Sequence, residues 1–181
     1  LIGLKKITKM QENSPNFNFF SVSDAPIGFW KTKIEKLDIS YWIKEVYKFK
    51  NFNPKPTQKS NNGGYQSEDT LYNCPAFFAL ISILGSSNFK LTEMWANISS
   101  HTHSNTLHNH GPYGKDLSGV LYLKTPPNSG NLQFWLPFDL NHHYPYTPQE
   151  GDLIIFPAFL SHSVEPNLSQ EDRISIAFNY E

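Results

Sequence analysis

Two different hydrophobic periods divide this chain. Between Asp38 and Lys50 the apolar residues recur every three or four positions, which is the spacing of one face of an α-helix. Asp38 or Ser40 can cap such a helix through a side-chain oxygen. We therefore predict an amphipathic helix over Asp38 to Lys50, packed on a sheet through Ile39, Trp42, Ile43, Val46 and Phe49.

From Phe89 onward the pattern changes to short apolar runs separated by turn-forming residues, as is typical of an all-β sandwich or barrel. Within the last run, polar and apolar residues alternate, so one face of that strand is predicted to be polar and cationic. A segment with two prolines, Phe138 to Gly151, is predicted to be a longer connection. The predicted strands are Lys90 to Ile98, Thr106 to His110, Leu117 to Leu123, Gly130 to Trp135, Asp152 to Phe156, Ser161 to Glu165 and Arg173 to Tyr180.

The N-terminal half has a weaker pattern. Residues 1–26 are predicted to form an arm with at most one edge strand, and Ile27 to Ile34 a first strand. Asn51 to Gly64 is rich in Pro, Asn, Lys and Gly, which predicts an exposed loop. Thr70 to Leu84 is an apolar run that we interpret as a short helix, with Pro75 near its start.

Composition restricts the class of protein. A length of 181 residues suits one domain with an ordinary core, spanning 1–181, with the β-rich part over 90–181. A net charge of -1 gives no general reason to bind nucleic acid or an anionic membrane. The apolar runs are too short to cross a bilayer. The single cysteine, Cys74, excludes an internal disulfide, which favours a reducing cytoplasm.

Histidines supply the candidate chemistry. Side chains two apart on a strand point to the same face, so His108 and His110 should lie together. His162 follows the apolar run Leu153 to Pro157, and a later strand of a barrel can bring it to the same site. We predict a metal site formed by these three residues. For each one alone, an ordinary hydrogen-bonded imidazole is the simpler interpretation.

Other histidines compete for this role. His101 and His103 form a second His-x-His pair, in a turn rich in Ser, Thr and Asn, and we interpret them as loop residues or neighbours of a substrate. His142 and His143 are adjacent and would diverge on an extended chain. We expect those two in a surface loop.

Several further motifs follow one another in order along the chain. They are Asn62 to Ser67, Met94 to Asn97, His108 to His110, Leu117 to Leu123, Ser129 to Phe134, Gly151 to Pro157, His162 and Arg173 to Asn179. Together they resemble the 2-oxoglutarate and Fe(II)-dependent oxygenases, in particular a subgroup found in marine bacteria and their phages that is distantly similar to prolyl 4-hydroxylases. The resemblance runs from about Gly63 to the C-terminus.

The resemblance implies a mainly β fold, the cupin-like double-stranded β-helix or jelly roll, with helices backing one sheet. It implies Fe(II) on His108, His110 and His162, with 2-oxoglutarate as cosubstrate and O₂ as oxidant. The distal carboxylate of 2-oxoglutarate would bind Arg173 as a bidentate fork, with Ser175 beside it. Tyr122 and Asn97 would complete that site. Each of these residues also has a simpler interpretation. Arg173 could be a solvated arginine at the sheet edge, Tyr122 a core residue, and Asn97 the last residue of a strand.

One feature departs from the wider family. A carboxylate usually takes the position of His110, and Asp116 or Glu165 are the candidates in sequence to supply one instead. A three-histidine, cupin-like dioxygenase that does not use 2-oxoglutarate is therefore an alternative, and a non-enzymatic metal-binding jelly roll is another.

The substrate is left open between a small molecule and a peptidyl residue such as proline. An exposed sheet edge would allow a homodimer. A phage-encoded protein would act in the host cytoplasm.

Overall fold

The computed structural model describes residues 18–21, 28–34, 37–84, 89–111, 116–136 and 139–181. Its twelve described strands are β1 Asn18–Ser21, β2 Gly28–Lys33, β3 Asn61–Asn62, β4 Tyr65–Gln66, β5 Leu91–Ser99, β6 Ser104–His108, β7 Leu117–Lys124, β8 Leu132–Leu136, β9 Asp139–Tyr146, β10 Asp152–Pro157, β11 Ser161–Val164 and β12 Arg173–Tyr180. The α-helices are α1 Ile39–Phe52 and α2 Phe78–Leu84.

The strands form two antiparallel sheets. The larger sheet has the order β1-β2-β10-β7-β12-β5-β4, and the smaller sheet has the order β3-β6-β11-β8-β9. A buried cluster joins the two sheets, with Phe29 stacked on Phe134 at a ring separation of 4.8 Å. This arrangement is the predicted jelly roll, so the fold class is confirmed.

The helices cover the outer face of the larger sheet. Helix α1 begins where its cap predicted, because the Asp38 carboxylate accepts a hydrogen bond from the Tyr41 amide at 3.0 Å. Trp42 and Val46 are the fully buried residues of this helix, and Trp42 packs on Phe77 with 5.6 Å between ring centroids. Burial of this apolar stripe therefore holds α1 against the sheet.

The two faces of strand β12 carry different kinds of residues. Ile174, Ile176, Phe178 and Tyr180 are buried in the cluster beneath the helices. The alternate residues, which include Arg173 and Ser175, line a cavity between the sheets. The predicted polar and cationic face of Arg173 to Tyr180 is thus confirmed, and it faces the interior of the sandwich.

One predicted segment is wrong, and another is right only in its second half. Within Phe138 to Gly151 lies strand β9, which pairs with β8 in the register Phe134↔Tyr144. It is an edge strand, where Pro145 is tolerated because no second neighbour needs its amide. Within Thr70 to Leu84 the chain forms two 3-10 turns, Leu71–Asn73 and Pro75–Phe77, before α2 begins.

The other differences are small. Strand β6 ends at His108, so His110 lies just beyond it, and the predicted loop Asn51 to Gly64 contains the end of α1 and the short β3. Strand β1 confirms an edge strand in the arm 1–26, and the rest of that arm lies outside the described residues. Among the described helices, none has the length and apolar character that a membrane span requires.

Candidate metal centre and its cavity

Adjacent strands of the smaller sheet bring the three predicted histidines together. His162 on β11 is directly opposite His108 at the end of β6. His110 lies two residues further along, and its ring is stacked on that of His162 with 5.2 Å between centroids. One ring nitrogen from each residue lies within 4.8 Å of the other two. The three nitrogens are therefore close enough to bind one divalent ion.

Backbone carbonyls orient two of these rings. Nδ1 of His108 lies 2.8 Å from the Thr106 carbonyl oxygen, and Nδ1 of His162 lies 2.9 Å from that of Leu160. A carbonyl oxygen only accepts, so each Nδ1 must carry the proton. The lone pair then resides on Nε2, which is the atom left to bind a metal. This support of the ligand by an outer hydrogen bond is common in histidine metal sites.

The surroundings favour the neutral form of two of these histidines. Burial lowers the pKa of His108, against the opposing effect of the Thr106 carbonyl. Burial, together with the nearby His108 and His110 rings, lowers the pKa of His162 well below its usual value. Neutral imidazole is the form that ligates metals. His108 and His162 are therefore in a metal-binding state at neutral pH.

The cluster contains no carboxylate among the described residues. Of the two candidates, Glu165 uses its carboxylate elsewhere, accepting hydrogen bonds from the Asn131 amide at 2.9 Å and from Gln133 at 2.6 Å. Asp116 is also not in the cluster. Neither candidate therefore supplies a carboxylate to the metal cluster in the described part of the chain.

A polar row on the larger sheet faces the histidines. In the register of three adjacent strands, Asn97 on β5, Ser175 on β12 and Tyr122 on β7 are directly opposite one another. Paired residues share a face of the sheet. These three residues line one inner cavity of about 70 Å³ together with the three histidines and Arg173. The structure therefore brings every predicted site residue to a single cavity.

Arg173 is the only arginine in the chain and is 4% exposed. Its Nη1 donates hydrogen bonds to the backbone carbonyls of Ser129 and Glu165. No carboxylate of the described residues forms an ion pair with it, and burial lowers the pKa of its guanidinium. Asp172, its neighbour in sequence, is instead bound by Tyr47 and Ser100. The inner cavity thus contains a buried cation without an anionic partner.

The competing histidines have other roles. Nδ1 of His103 accepts a hydrogen bond from the Ser100 amide at 3.0 Å, and its ring packs closely on Gly63, where the backbone has a φ of +74°. His101, His142 and His143 are exposed, and none of the four lines the inner cavity. His142 and His143 belong to β9 rather than to a loop.

The larger sheet carries a second polar row that was not predicted. Glu93, Asn179 and Ser118 are paired across the same three strands. Asn179 is fully buried, donates to Glu93 at 2.5 Å, accepts from Ser118 at 2.6 Å, and has Nδ2 at 3.4 Å from Nδ1 of His110. The alternation of β12 placed Asn179 on the inner face, but only the strand register shows that it contacts a histidine of the cluster.

A family model described as "Putative 2OG-Fe(II) oxygenase" matches residues 136–179. That segment contains His162, Arg173 and Ser175 but not His108 or His110. No curated protein matches the chain. The match supports the resemblance expected from the motifs, over the C-terminal part of the chain.

Solved structures share the fold. A prolyl-4-hydroxylase from Pseudomonas putida has a TM-score of 0.63 at 16% identity, over 86% of this chain and 92% of that chain. A prolyl hydroxylase from Trichoplax adhaerens, in complex with a hypoxia inducible factor peptide, has a TM-score of 0.62 at 14% identity, over 99% and 88%. HygX from Streptomyces hygroscopicus, with nickel and 2-oxoglutarate bound, has a TM-score of 0.59 at 14% identity, over 85% and 82%. The chain therefore has the fold of the 2OG-Fe(II) oxygenases.

Proposed function

We propose that this protein is an Fe(II)- and 2-oxoglutarate-dependent dioxygenase that hydroxylates a C–H bond of its substrate. The observation that carries the proposal is the buried Arg173, which has no carboxylate partner among the described residues and lies in the same cavity as three convergent imidazoles. A buried charge is costly unless a partner compensates it. A dicarboxylate bound between the metal and the guanidinium would supply that partner.

His108 and His162 would hold the iron through Nε2 and His110 through one of its ring nitrogens, leaving the remaining positions of the metal open to ligands. Arg173 would bind the distal carboxylate, and Ser175, Tyr122 and Asn97, which form the adjoining polar row, would donate hydrogen bonds to the cosubstrate. When bound, the iron with 2-oxoglutarate and O₂ supplies the oxidising chemistry, in which 2-oxoglutarate becomes succinate and CO₂. The protein's own contribution is to bind, orient and shield these groups.

The donor set also favours an anionic cosubstrate. Three neutral imidazoles leave the full charge of a divalent ion uncompensated, whereas a site with a carboxylate ligand would reduce it. A chelating 2-oxo acid then gains from both the metal and Arg173. The same donor set would retain the ion less strongly when the cosubstrate is absent.

A three-histidine dioxygenase that binds its substrate directly, without 2-oxoglutarate, is the second candidate. The absence of a carboxylate from the described cluster favours it. However, such an enzyme would not need the buried Arg173 guanidinium, which has no carboxylate partner among the described residues. For this reason we rank it below the 2-oxoglutarate-dependent enzyme.

The test combines binding and turnover. Anaerobically purified protein is loaded with Fe(II), titrated calorimetrically with 2-oxoglutarate, and assayed for succinate in air. We expect one bound iron, saturable 2-oxoglutarate binding and iron-dependent succinate formation, all lost in His162→Ala. The matched control is His101→Ala, an exposed histidine of the competing pair.

The outcomes separate the candidates. Iron binding without 2-oxoglutarate binding would favour the three-histidine dioxygenase. Retention of iron without any oxygen consumption would favour a non-enzymatic metal-binding module. Unchanged turnover in His162→Ala would contradict the proposed metal site.

A further inference from the structure

A second, larger cavity of about 420 Å³ adjoins the histidine cluster. It is not lined by Arg173, and the residues that it shares with the inner cavity are Ser60, Trp95, His108 and His110. It therefore reaches the metal-binding residues without involving the proposed carboxylate clamp. This outer cavity has the position required of a substrate site.

Gln66 lines the outer cavity and extends the inner polar row by one strand. It is directly opposite Asn97 in the pairing of β4 with β5, so both side chains lie on the same face of the sheet. The residue is 3% exposed, and its side-chain oxygen Oε1 is buried without a hydrogen-bond partner in the described structure. Buried acceptors are normally paired, and an unpaired one costs free energy that a ligand could recover.

Neighbouring contacts fix Gln66 in place. Its backbone carbonyl accepts from the Thr57 amide at 2.8 Å, and the preceding Tyr65 hydroxyl donates to the Asn53 carbonyl at 2.9 Å. On the other side, Ser67 Oγ accepts from the Ala96 amide at 3.0 Å. These contacts hold the chain around Gln66, a residue that lines the outer cavity, at three points.

The remaining polar groups of this cavity indicate what it would bind. Lys59 is its only described ammonium, and that group pairs with the Asp69 carboxylate at 2.7 Å. Glu93 adds a carboxylate to the wall, and one of its oxygens accepts from Asn179. The Gln66 oxygen can only accept, so it suits a ligand group that carries donors. A primary amide nitrogen offers two N–H donors, whereas a hydroxyl offers one.

We propose that Gln66 Oε1 accepts a hydrogen bond from an amide N–H of the substrate, and that this contact holds an amide-bearing substrate beside the metal. This inference rests on the proposed function for its catalytic meaning. To that function it adds the chemical class of the substrate, an amide, and the residue that selects the amide, Gln66. The contact itself requires only the outer cavity, so it can be measured without turnover.

The experiment uses two probes, N-acetylglycinamide, which carries N–H donors, and N-acetylsarcosine N,N-dimethylamide, in which a methyl group replaces every N–H. Binding of each is measured by ligand-observed NMR to the metal-free full chain, and to the chain loaded anaerobically with Fe(II) and 2-oxoglutarate. We expect the primary amide to bind the wild type at least about tenfold more tightly, because a site built for a donor rejects an analogue without one. Gln66→Met, which keeps the length of the side chain, should abolish this preference.

The control is Gln170→Met, the same substitution at an exposed position, which should retain the preference. Thermal unfolding of ligand-free protein adds a readout independent of binding. Replacing an unpaired buried acceptor with an apolar side chain should leave the unfolding midpoint of Gln66→Met unchanged or higher. A lower midpoint would mean that the amide is structural.

The inference is overturned if neither probe binds the wild type, if both bind equally, or if Gln66→Met keeps the preference. Failure of the proposed function looks different. In that case 2-oxoglutarate and iron would not bind, while the Gln66-dependent preference of the metal-free protein would persist.

Discussion

Arg173 has an unusual environment for a buried cation. Both of its described hydrogen bonds come from Nη1 and go to backbone carbonyls, which leaves the other guanidinium donors for a ligand. The residue before it, Asp172, is committed to Tyr47 and Ser100 and does not neutralise it. A site for a carboxylate anion is therefore built into the start of β12.

We expect Arg173→Lys to weaken 2-oxoglutarate binding by roughly tenfold or more, because an ammonium keeps the charge but loses the bidentate fork. Iron binding should stay close to that of the wild type, because Arg173 is not a member of the histidine cluster. Calorimetry with each ligand separates the two effects. Lys124→Ala is the control, since it removes a cation that pairs with Glu171 at 2.9 Å instead. Equal 2-oxoglutarate affinity in Arg173→Lys and wild type would contradict the clamp.

At the scale of residues, the sequence predicted the members of the site better than their contacts. His108, His110 and His162 could be found because motif order and strand period place ligands directly. Gln66 lay within a motif of the resemblance, but nothing in the sequence shows that its side-chain oxygen is unpaired. Contacts of this kind depend on which strands are neighbours, and the sequence does not state that.

At the scale of elements, strands with strict alternation were predicted well. Arg173 to Tyr180 has the same bounds in the structure as in the prediction, because polar and apolar residues occupy opposite faces throughout. Strand β9 was missed because it carries Pro145 and a run of polar and aromatic residues, and its pairing with β8 alone makes it a strand. Edge strands depend on a partner more than on their own pattern.

One hydrogen-bonded group connects helix α1 to the start of β12. The Tyr47 hydroxyl donates to Asp172 at 2.6 Å, and the Ser100 hydroxyl donates to the other carboxylate oxygen at 2.7 Å. Burial raises the pKa of Asp172, but these two hydrogen bonds together with the charges of Lys50 and Lys124 outweigh it, and the pKa falls below its ordinary value of 3.8. A lowered carboxyl pKa stabilises the fold above the ordinary pKa, and this stabilisation is lost as the pH falls through the lowered value.

Tyr47→Phe should therefore reduce the free energy of unfolding by roughly 1 kcal/mol at pH 7. The difference from wild type should shrink at a pH below the lowered pKa of Asp172, where the carboxyl is protonated in the folded and unfolded states alike. Urea unfolding at both pH values measures this. Tyr41→Phe, on the exposed side of the same helix, is the control. A difference that is the same at both pH values would show that Asp172 is not the partner that matters.

At the scale of the whole molecule, the larger sheet separates two environments. Its outer face packs on α1 and α2 through one apolar cluster. Its inner face carries the two polar rows and meets the smaller sheet across the inner cavity, beside a second apolar cluster. The core that stabilises the fold is thus largely separate from the site. Polar groups between the sheets can be positioned for ligands because the helical side supplies much of the apolar burial.

This arrangement predicts that the metal and the cosubstrate stabilise the fold together. A ligand that binds only the folded state raises its stability by about 2.7 kcal/mol at a concentration one hundred times its Kd. We expect 2-oxoglutarate to raise the unfolding midpoint more in the presence of Co(II), an inert replacement for Fe(II), than in its absence. A 2-oxo acid chelates the ion while its distal carboxylate reaches Arg173, so the two bindings are coupled.

Glutarate supplies the matched control, because it keeps both carboxylates but lacks the 2-oxo group that chelates. Its stabilising effect should depend much less on Co(II), and both dicarboxylates should lose most of their effect in Arg173→Lys. The histidines and Arg173 lie on opposite sheets, so this coupling can arise only if one ligand spans the cavity between them. If 2-oxoglutarate stabilised the protein equally with and without the metal, the two sites would not share a ligand.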